Sequence, residues 1–346
     1  MRNSKAAASV ATRPPTLLAR YGKDWGALAV VVAVFAVLSV TLQGADLQVA
    51  VRVLLFALLG AAWNIMGGFS GLFSFGHAAY FGLGAYTSAY LLVEHGISPW
   101  IGLAIGCVIA AAYAVITTWL VVRYQLRGAY FALATFAFAE MLHLVSLNVD
   151  AIKGTEGLKV PILTGESWWI MQFSLNSPKY LYLMLILFAA GMLVVIYIAH
   201  SPLGLRLRAM RDDPDSAAAS GISVTKYSLV SAAISAVLTA AVGAFYVQFL
   251  FFIDPPLAFG PEVSVQILLP AIVGGVATVW GPLVGSAVVV ILGDSLSTLI
   301  NDPPASLSWF SGRSGLDLVI YGAILVLIIM YAPRGLYGSV VHRWRS

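Results

Sequence analysis

Residues 53–93 contain no Lys, Arg, Asp or Glu and read VLLFALLGAAWNIMGGFSGLFSFGHAAYFGLGAYTSAYLLV. Drawn as a single helix at about 1.5 Å per residue, the run would be roughly 60 Å long, about twice the hydrocarbon thickness of a bilayer. It must turn back inside or at the edge of a membrane. Gly67, Gly68 and Gly71, with Phe69 and Ser70 between them, mark the break. The second half is crowded with Gly, Ser, His and Tyr, where a span selected only for lipid would carry Leu. Freed backbone groups and small polar side chains persist at membrane depth only where they face protein or a water-filled path. That composition suits a transport pathway.

The rest of the chain agrees. It has 346 residues, 60% hydrophobic and 10% charged, far from a soluble domain. Hydropathy predicts an all-α polytopic membrane protein with about ten transmembrane helices, some discontinuous, at 25–42, 49–66, 72–93, 101–122, 129–147, 181–199, 227–250, 263–279, 282–300 and 316–332. The net charge of +4 is topological and not a nucleic-acid footprint. With both termini cytoplasmic, ten spans place 14 of the 19 Lys and Arg inside and 5 outside, as the positive-inside rule requires. Dropping one span would invert every later loop. The expected organisation is a basic tail without regular structure over 1–24, a membrane domain over 25–338 and a short tail over 339–346. The apolar core starts too late for a cleaved signal peptide. Cys107, the single cysteine, sits in an apolar span as a small packing residue and excludes an intrachain disulfide.

A second uncharged run, 263–293, repeats the opening problem, with Gly274, Gly275, Gly281 and Pro282 supplying its break. Two Gly-interrupted runs, one in each half, suggest discontinuous helices that meet near the midplane. Between spans, two connections are long. Residues 148–179 form an outside loop containing Trp168 and Trp169, read as headgroup-layer anchors in preference to ligand-stacking rings.

The other, 200–226, is the main cytoplasmic loop, HSPLGLRLRAMRDDPDSAAASGISVTKY. Asp213 is a good N-cap, Pro214 suits the first helical position, and Asp215 complements the positive helix end. Gly221 is placed to close the helix in a left-handed cap. The prediction is a self-capped helix of about seven residues, with Ala217, Ala218 and Ala219 as a small smooth face, preceded by Arg206, Arg208 and Arg211. A plain tether needs no such construction, so the helix reads as a docking element for a cytoplasmic partner.

Polar residues within the spans are the other candidates. Glu140 and His143 lie mid-span, three apart and on one helical face. A carboxylate there must be paired, protonated or hydrated, so a structural pair and a transport role both stay open. His77 reads either as a neutral, hydrogen-bonded core residue or as part of a pathway with Ser70, Ser74 and Tyr80. Neither histidine has metal-ligand spacing. The G-x-S-G at Gly68 to Gly71 also matches an intramembrane serine protease, which would need a histidine base such as His143. No G-x-x-x-x-G-K-[ST] occurs, so any ATP-driven motor is expected on another polypeptide.

With these residues in view, the chain resembles the permease subunits of branched-chain amino-acid ABC importers, in particular the LivM-type half. The likeness runs from about Trp63 to Gly338. NIMGGFSGLFSFGHAAYFGLGAYTSA is similar to the family's opening signature, headed by Asn64, and RGAYFALATFAFAEMLHLV to the span that follows. KGTEGL, the 200–226 loop, PAIVGGVATVWGPLVGS and YAPRGLYG resemble its later segments. Asp215-Ser216-Ala217 followed by Gly221 is a D-S-A-x-x-x-G version of the E-A-A-x-x-x-G coupling pattern.

The resemblance implies a subunit of the bacterial inner membrane with no enzymatic activity and no cofactor of its own. It would pair with a homologous LivH-type permease, two cytoplasmic ATPases that bind the ATP, and an extracytoplasmic solute-binding protein, all among membrane lipid. It also implies that Asn64 joins Ser70, Ser74, His77, Tyr80, Glu140 and His143 along the translocation path. The family often has Gln where Leu72 stands and T-G-G where this chain has Gly154, Thr155 and Glu156. Relatives also import urea, short amides or other amino acids, so the solute stays open, as does a stand-alone secondary transporter or channel.

Overall fold

A computed structural model of the chain describes residues 17–162, 165–174, 177–301, 316–332 and 335–343. Arg2, Lys5, Arg13, Arg313, Arg334 and Arg345 of the charge argument lie outside them. The fold is almost wholly helical: α1 Leu17–Thr41, α2 Ala45–Asn64, α3 His77–His95, α4 Pro99–Arg123, α5 Ala129–Leu147, α6 Lys179–His200, α7 Pro202–Asp212, α8 Pro214–Ala219, α9 Val224–Leu250, α10 Pro255–Phe259, α11 Pro261–Gly274, α12 Gly281–Asn301, α13 Leu316–Tyr331 and α14 Gly335–Arg343. Two short strands, β1 Leu158–Lys159 and β2 Phe252–Ile253, pair antiparallel with Leu158 opposite Ile253. Regular structure extends further than the sequence suggests at both ends: α1 starts at Leu17, within the expected tail, and α14 runs to Arg343.

Nine helical segments among the described residues are long and apolar enough to cross a membrane. The ten-span reading adds α3, which falls outside that set although its 19 residues would reach about 28 Å. The reason is packing. α3 lies against α4 and α9, where lipid-like side chains are not needed. A Cβ on Gly84 would fall 2.1 Å from the Ala240 carbonyl oxygen, and one on Gly243 would fall 2.2 Å from that of Phe81. Small residues let α3 and α9 touch backbone to backbone, the contact that holds helices together where lipid removes the hydrophobic driving force. α2, apolar all round from Val53 to Trp63, is the central helix: it packs on α6, α9, α11 and α12, and Leu54, Leu58 and Trp63 are wholly buried.

Hydrogen bonds sort the connections into two ends. At one, the Asp24 carboxylate accepts from Trp280 Nε1 at 2.9 Å and meets His200 Nε2 at 2.7 Å. This ties the start of α1, the end of α6 and the α11–α12 turn together, with α7 and α8 beside them. The start of α14 is there too, since Gly335 lies against the backbone of Gly274 and Gly275. At the far end, Ser39 Oγ donates to Tyr182 Oη at 2.9 Å, and Trp100 Nε1 donates to the Trp168 carbonyl at 2.8 Å. α3 starts inside the bundle, with His77 beside Ser235 of α9 and Ala78 beside Ser264 of α11, and reaches β1 and β2 at the far end. The first and last described helices therefore share one end.

Candidate functional site

The uncharged run 53–93 does turn back, but later than its glycines suggest. α2 continues through a π-helical turn, Ile65–Phe69, and the chain leaves the helix only at Ser70. Gly67 and Gly68 lie inside that turn and make room for side chains. A Cβ on Gly67 would meet the Trp63 ring at 2.5 Å, and one on Gly68 would meet Asn64 Oδ1 at 1.9 Å. Gly71, with φ 74°, is the residue that redirects the backbone. In the second run, α11 ends at Gly274, Gly275 has φ 131°, and α12 resumes at Gly281 and Pro282.

Asn64 joins the two interruptions. Its Nδ2 donates to the Thr278 carbonyl at 2.7 Å, and its Oδ1 accepts from the Ala277 N–H at 2.7 Å. The expectation that the breaks meet near the midplane is corrected: they meet at the end that carries α8, after a full-length span of 25 residues. At that depth the freed backbone groups have side chains and turns to satisfy them.

Around this junction the structure gathers Ser70, Ser74 and His77. Trp63 Nε1 donates to the Ser74 carbonyl at 2.8 Å, and Ser74 Oγ accepts from the Gly76 N–H at 3.1 Å. Ser264 Oγ accepts from the Ala78 N–H at 3.0 Å, so α11 caps the start of α3. His77 Nε2 sits 2.8 Å from Ser235 Oγ, and Ser235 donates its own proton to the Ala62 carbonyl at 2.7 Å. With the Ser235 proton so placed, His77 Nε2 is the donor, and its buried Nδ1 has no partner among the described residues.

Ser70 Oγ donates to the Met66 carbonyl at 2.7 Å and neighbours Ser231 Oγ at 3.2 Å. No histidine is bonded to it, so the Ser–His pairing a protease needs is absent among the described residues. Ser228, Ser231, Ser235 and Thr239, all fully buried, form one polar stripe of α9 facing this cluster. The 3–4–4 spacing that makes this stripe is present in the sequence. Tyr80 lies deeper, its ring 5.2 Å from that of His77 and 6.4 Å from that of Tyr113.

Glu140 and His143 pair with each other, Oε1 to Nδ1, at 3.3 Å, and make no hydrogen bond to the His77 cluster. Glu140 borders the open side of α5, where it lines a groove of about 720 Å³ with Phe136, Met141 and Leu144, and His143 stands behind it. Glu140 Oε2 and His143 Nε2 have no partner among the described residues.

The 200–226 loop holds two helices. α7 was not anticipated, although its signals were present: Ser201 caps it, Pro202 opens it, and Leu203, Leu207 and Met210 recur at helical spacing. The three arginines fasten α7 to the bundle and do not form a free basic face. Arg206 stacks on the Tyr227 ring at 5.3 Å, Arg208 donates to the Ala199 carbonyl, and Arg211 reaches the Gly68 carbonyl at 3.4 Å.

α8 spans Pro214–Ala219 with Asp213 as N-cap, accepting from the Asp215 and Ser216 N–H groups at 2.9 and 3.2 Å. Ser216 Oγ adds a third bond to Asp213, and together these hold its carboxyl below the usual carboxylate range. The Ile222 N–H bonds the Ala217 carbonyl and the Gly221 N–H that of Ala218, with Gly221 at φ 83°, a Schellman cap. Ala217 is buried against the protein, so of the three alanines Ala218 and Ala219 are the exposed ones, beside the exposed Asp215 and Ser216. Asp215 binds Arg127 with both oxygens, at 2.8 and 2.9 Å, which lowers the carboxyl pKa and raises that of the guanidinium.

No group of three His, Cys, Asp or Glu stands close enough to hold a metal ion among the described residues. The arrangement is therefore a bundle with a buried polar junction and a capped helix standing out from one end. Residues 47–329 match the family described as branched-chain amino acid transport system, permease component. The chain belongs to this permease family. It is 26% identical to the high-affinity branched-chain amino acid transport system permease protein LivM of Salmonella typhimurium, over 84% of this chain and 69% of the relative. The LivH permease protein of Escherichia coli is 23% identical, over 82% of this chain and 91% of its own length. A probable branched-chain amino acid transport permease LivH of Methanocaldococcus jannaschii is 27% identical, over 77% and 82%. No solved structure matches the chain.

Proposed function

We propose that the chain is the transmembrane permease subunit of an ATP-driven importer for branched-chain or closely related amino acids, in the bacterial inner membrane. It pairs with a homologous permease subunit and works with two cytoplasmic ATPases and an extracytoplasmic binding protein. The α8 end faces the cytoplasm, as the Lys and Arg distribution favours. α8 is the ATPase contact, and the junction around Asn64, Ser70 and His77 belongs to the moving part of the pathway. The observation that carries this reading is α8 itself, a six-residue helix capped at both ends and presenting Ala218 and Ala219 to solvent. Family membership supports the solute class.

In transport, the binding protein delivers solute to the far end. ATP binding closes the ATPase dimer and displaces α8, and the spans answer by a gating or rigid-body shift. The test is reconstitution of the chain with its paired permease, ATPase and binding protein in proteoliposomes. Labelled leucine, isoleucine or valine should accumulate only with ATP. Accumulation without any ATPase would favour a stand-alone transporter, and ATP-driven uptake of urea or a short amide alone would correct the solute.

A further inference from the structure

Asp213 and Asp215 stand two residues apart and have different tasks. Asp213 is spent on the cap of α8, whereas Asp215 reaches across to Arg127, just before the first residue of α5. The Arg127 carbonyl accepts from the Tyr130 N–H at 3.2 Å, so a pull on Arg127 is felt in the first turn of α5. Elsewhere α8 rests on α7 and α9.

Between α8 and the start of α5 lies a cavity of about 510 Å³, lined among others by Ser70, Gly71, Arg127, Gly128, Pro214 and Ala218. Close-packed interiors resist relative movement, and a cavity here leaves α8 room to shift against α5. α5 also lies at the edge of the bundle. Tyr130, Leu133, Met141 and Leu144 are exposed along it, whereas α2 is buried almost throughout. α5 is the helix that carries Glu140.

We propose that the Arg127–Asp215 pair is the link through which displacement of α8 moves α5. This rests on the reading of α8 as the ATPase contact. The two-point geometry suits the task, because a bidentate guanidinium–carboxylate pair fixes direction as well as distance. Its exposure suits it too, since an ion pair in water adds little to stability and can be altered without unfolding the protein. Arg127 is thus a positioning residue that acts through α5 and touches no solute.

Two measurements test the link. In the reconstituted importer, Arg127→Glu should leave ATPase binding intact and ATP hydrolysis running, whereas Asp215→Arg, which alters α8 itself, is read for transport per ATP alone. Solute carried per ATP should fall about fivefold, the bias an exposed pair can supply. The doubly reversed protein, Arg127→Glu with Asp215→Arg, should recover most of the loss. A single variant with normal coupling, or a double variant no better than the singles, overturns the proposal. Hydrogen exchange on the chain alone judges the link without any ATPase. In Asp215→Asn, amides 129–133 should exchange severalfold faster while those of α9 stay unchanged, and unaltered exchange at 129–133 likewise overturns it. A wild-type importer that fails to use ATP would count against the proposed function, while the exchange result still decides on the link.

Discussion

Gly68 has no room for a methyl group: a Cβ there would overlap Asn64 Oδ1 and press on the Ala277 N–H at 2.7 Å. Overpacking of this kind costs about 1–3 kcal/mol or more, so Gly68→Ala should lower the melting temperature in detergent and the amount of inserted protein. Asn64→Ala should do the same for a different reason, because it leaves the Ala277 N–H and the Thr278 carbonyl unpaired at about 1–3 kcal/mol each. If either variant melts like wild type, the junction does not hold the two breaks together. Glu140 makes a functional prediction. Glu140→Gln replaces a carboxyl group whose second oxygen has no partner among the described residues, so insertion should be normal while uptake or its pH dependence changes. Uptake unaltered across pH would reduce Glu140 to packing. From the sequence, Asn64 was legible only through resemblance. Its partners lie more than two hundred residues away, and no local spacing announces them.

The helix α8 was legible in full because everything that makes it is local: cap, proline, acidic first turn and closing glycine lie within nine residues. Arg127, which binds it, was missed, since a partner 88 residues away has no periodic signature. Ala218→Pro should unfold α8, at a local cost of about 3 kcal/mol. Ala218 is exposed, so the spans and the pairing of permease subunits should survive while solute-stimulated ATP hydrolysis is lost. Normal coupling in that variant would make α8 a tether. The pH response has a definite sign. Asp213 and Asp215 have lowered pKa values in the fold, so what they contribute is complete above the ordinary carboxylate pKa of about 3.9 and is lost as pH falls below it. ATPase affinity should therefore be flat between about pH 5 and 8. A midpoint inside that window, measured by binding of the ATPase to the chain in detergent, would contradict the assignment of the cap.

At the scale of the molecule, the alternation of spans was readable because charge and hydropathy are summed over long segments. The corrections came where tertiary packing overrides composition. α3 is less apolar than its neighbours because it is buried among them, and the helix breaks sit at one end because full-length spans precede them. Which end faces the cytoplasm, and whether α8 meets an ATPase there, is the central claim. The direct measurement is cysteine labelling, on a background with Cys107 replaced, at Ile162 on the far loop and Ala219 on α8, both exposed. In intact cells a membrane-impermeant maleimide should label Ile162→Cys and spare Ala219→Cys. In inside-out vesicles Ala219→Cys should label, and adding the ATPase should protect it. Labelling of Ala219→Cys from outside, or no protection by the ATPase, would contradict the account.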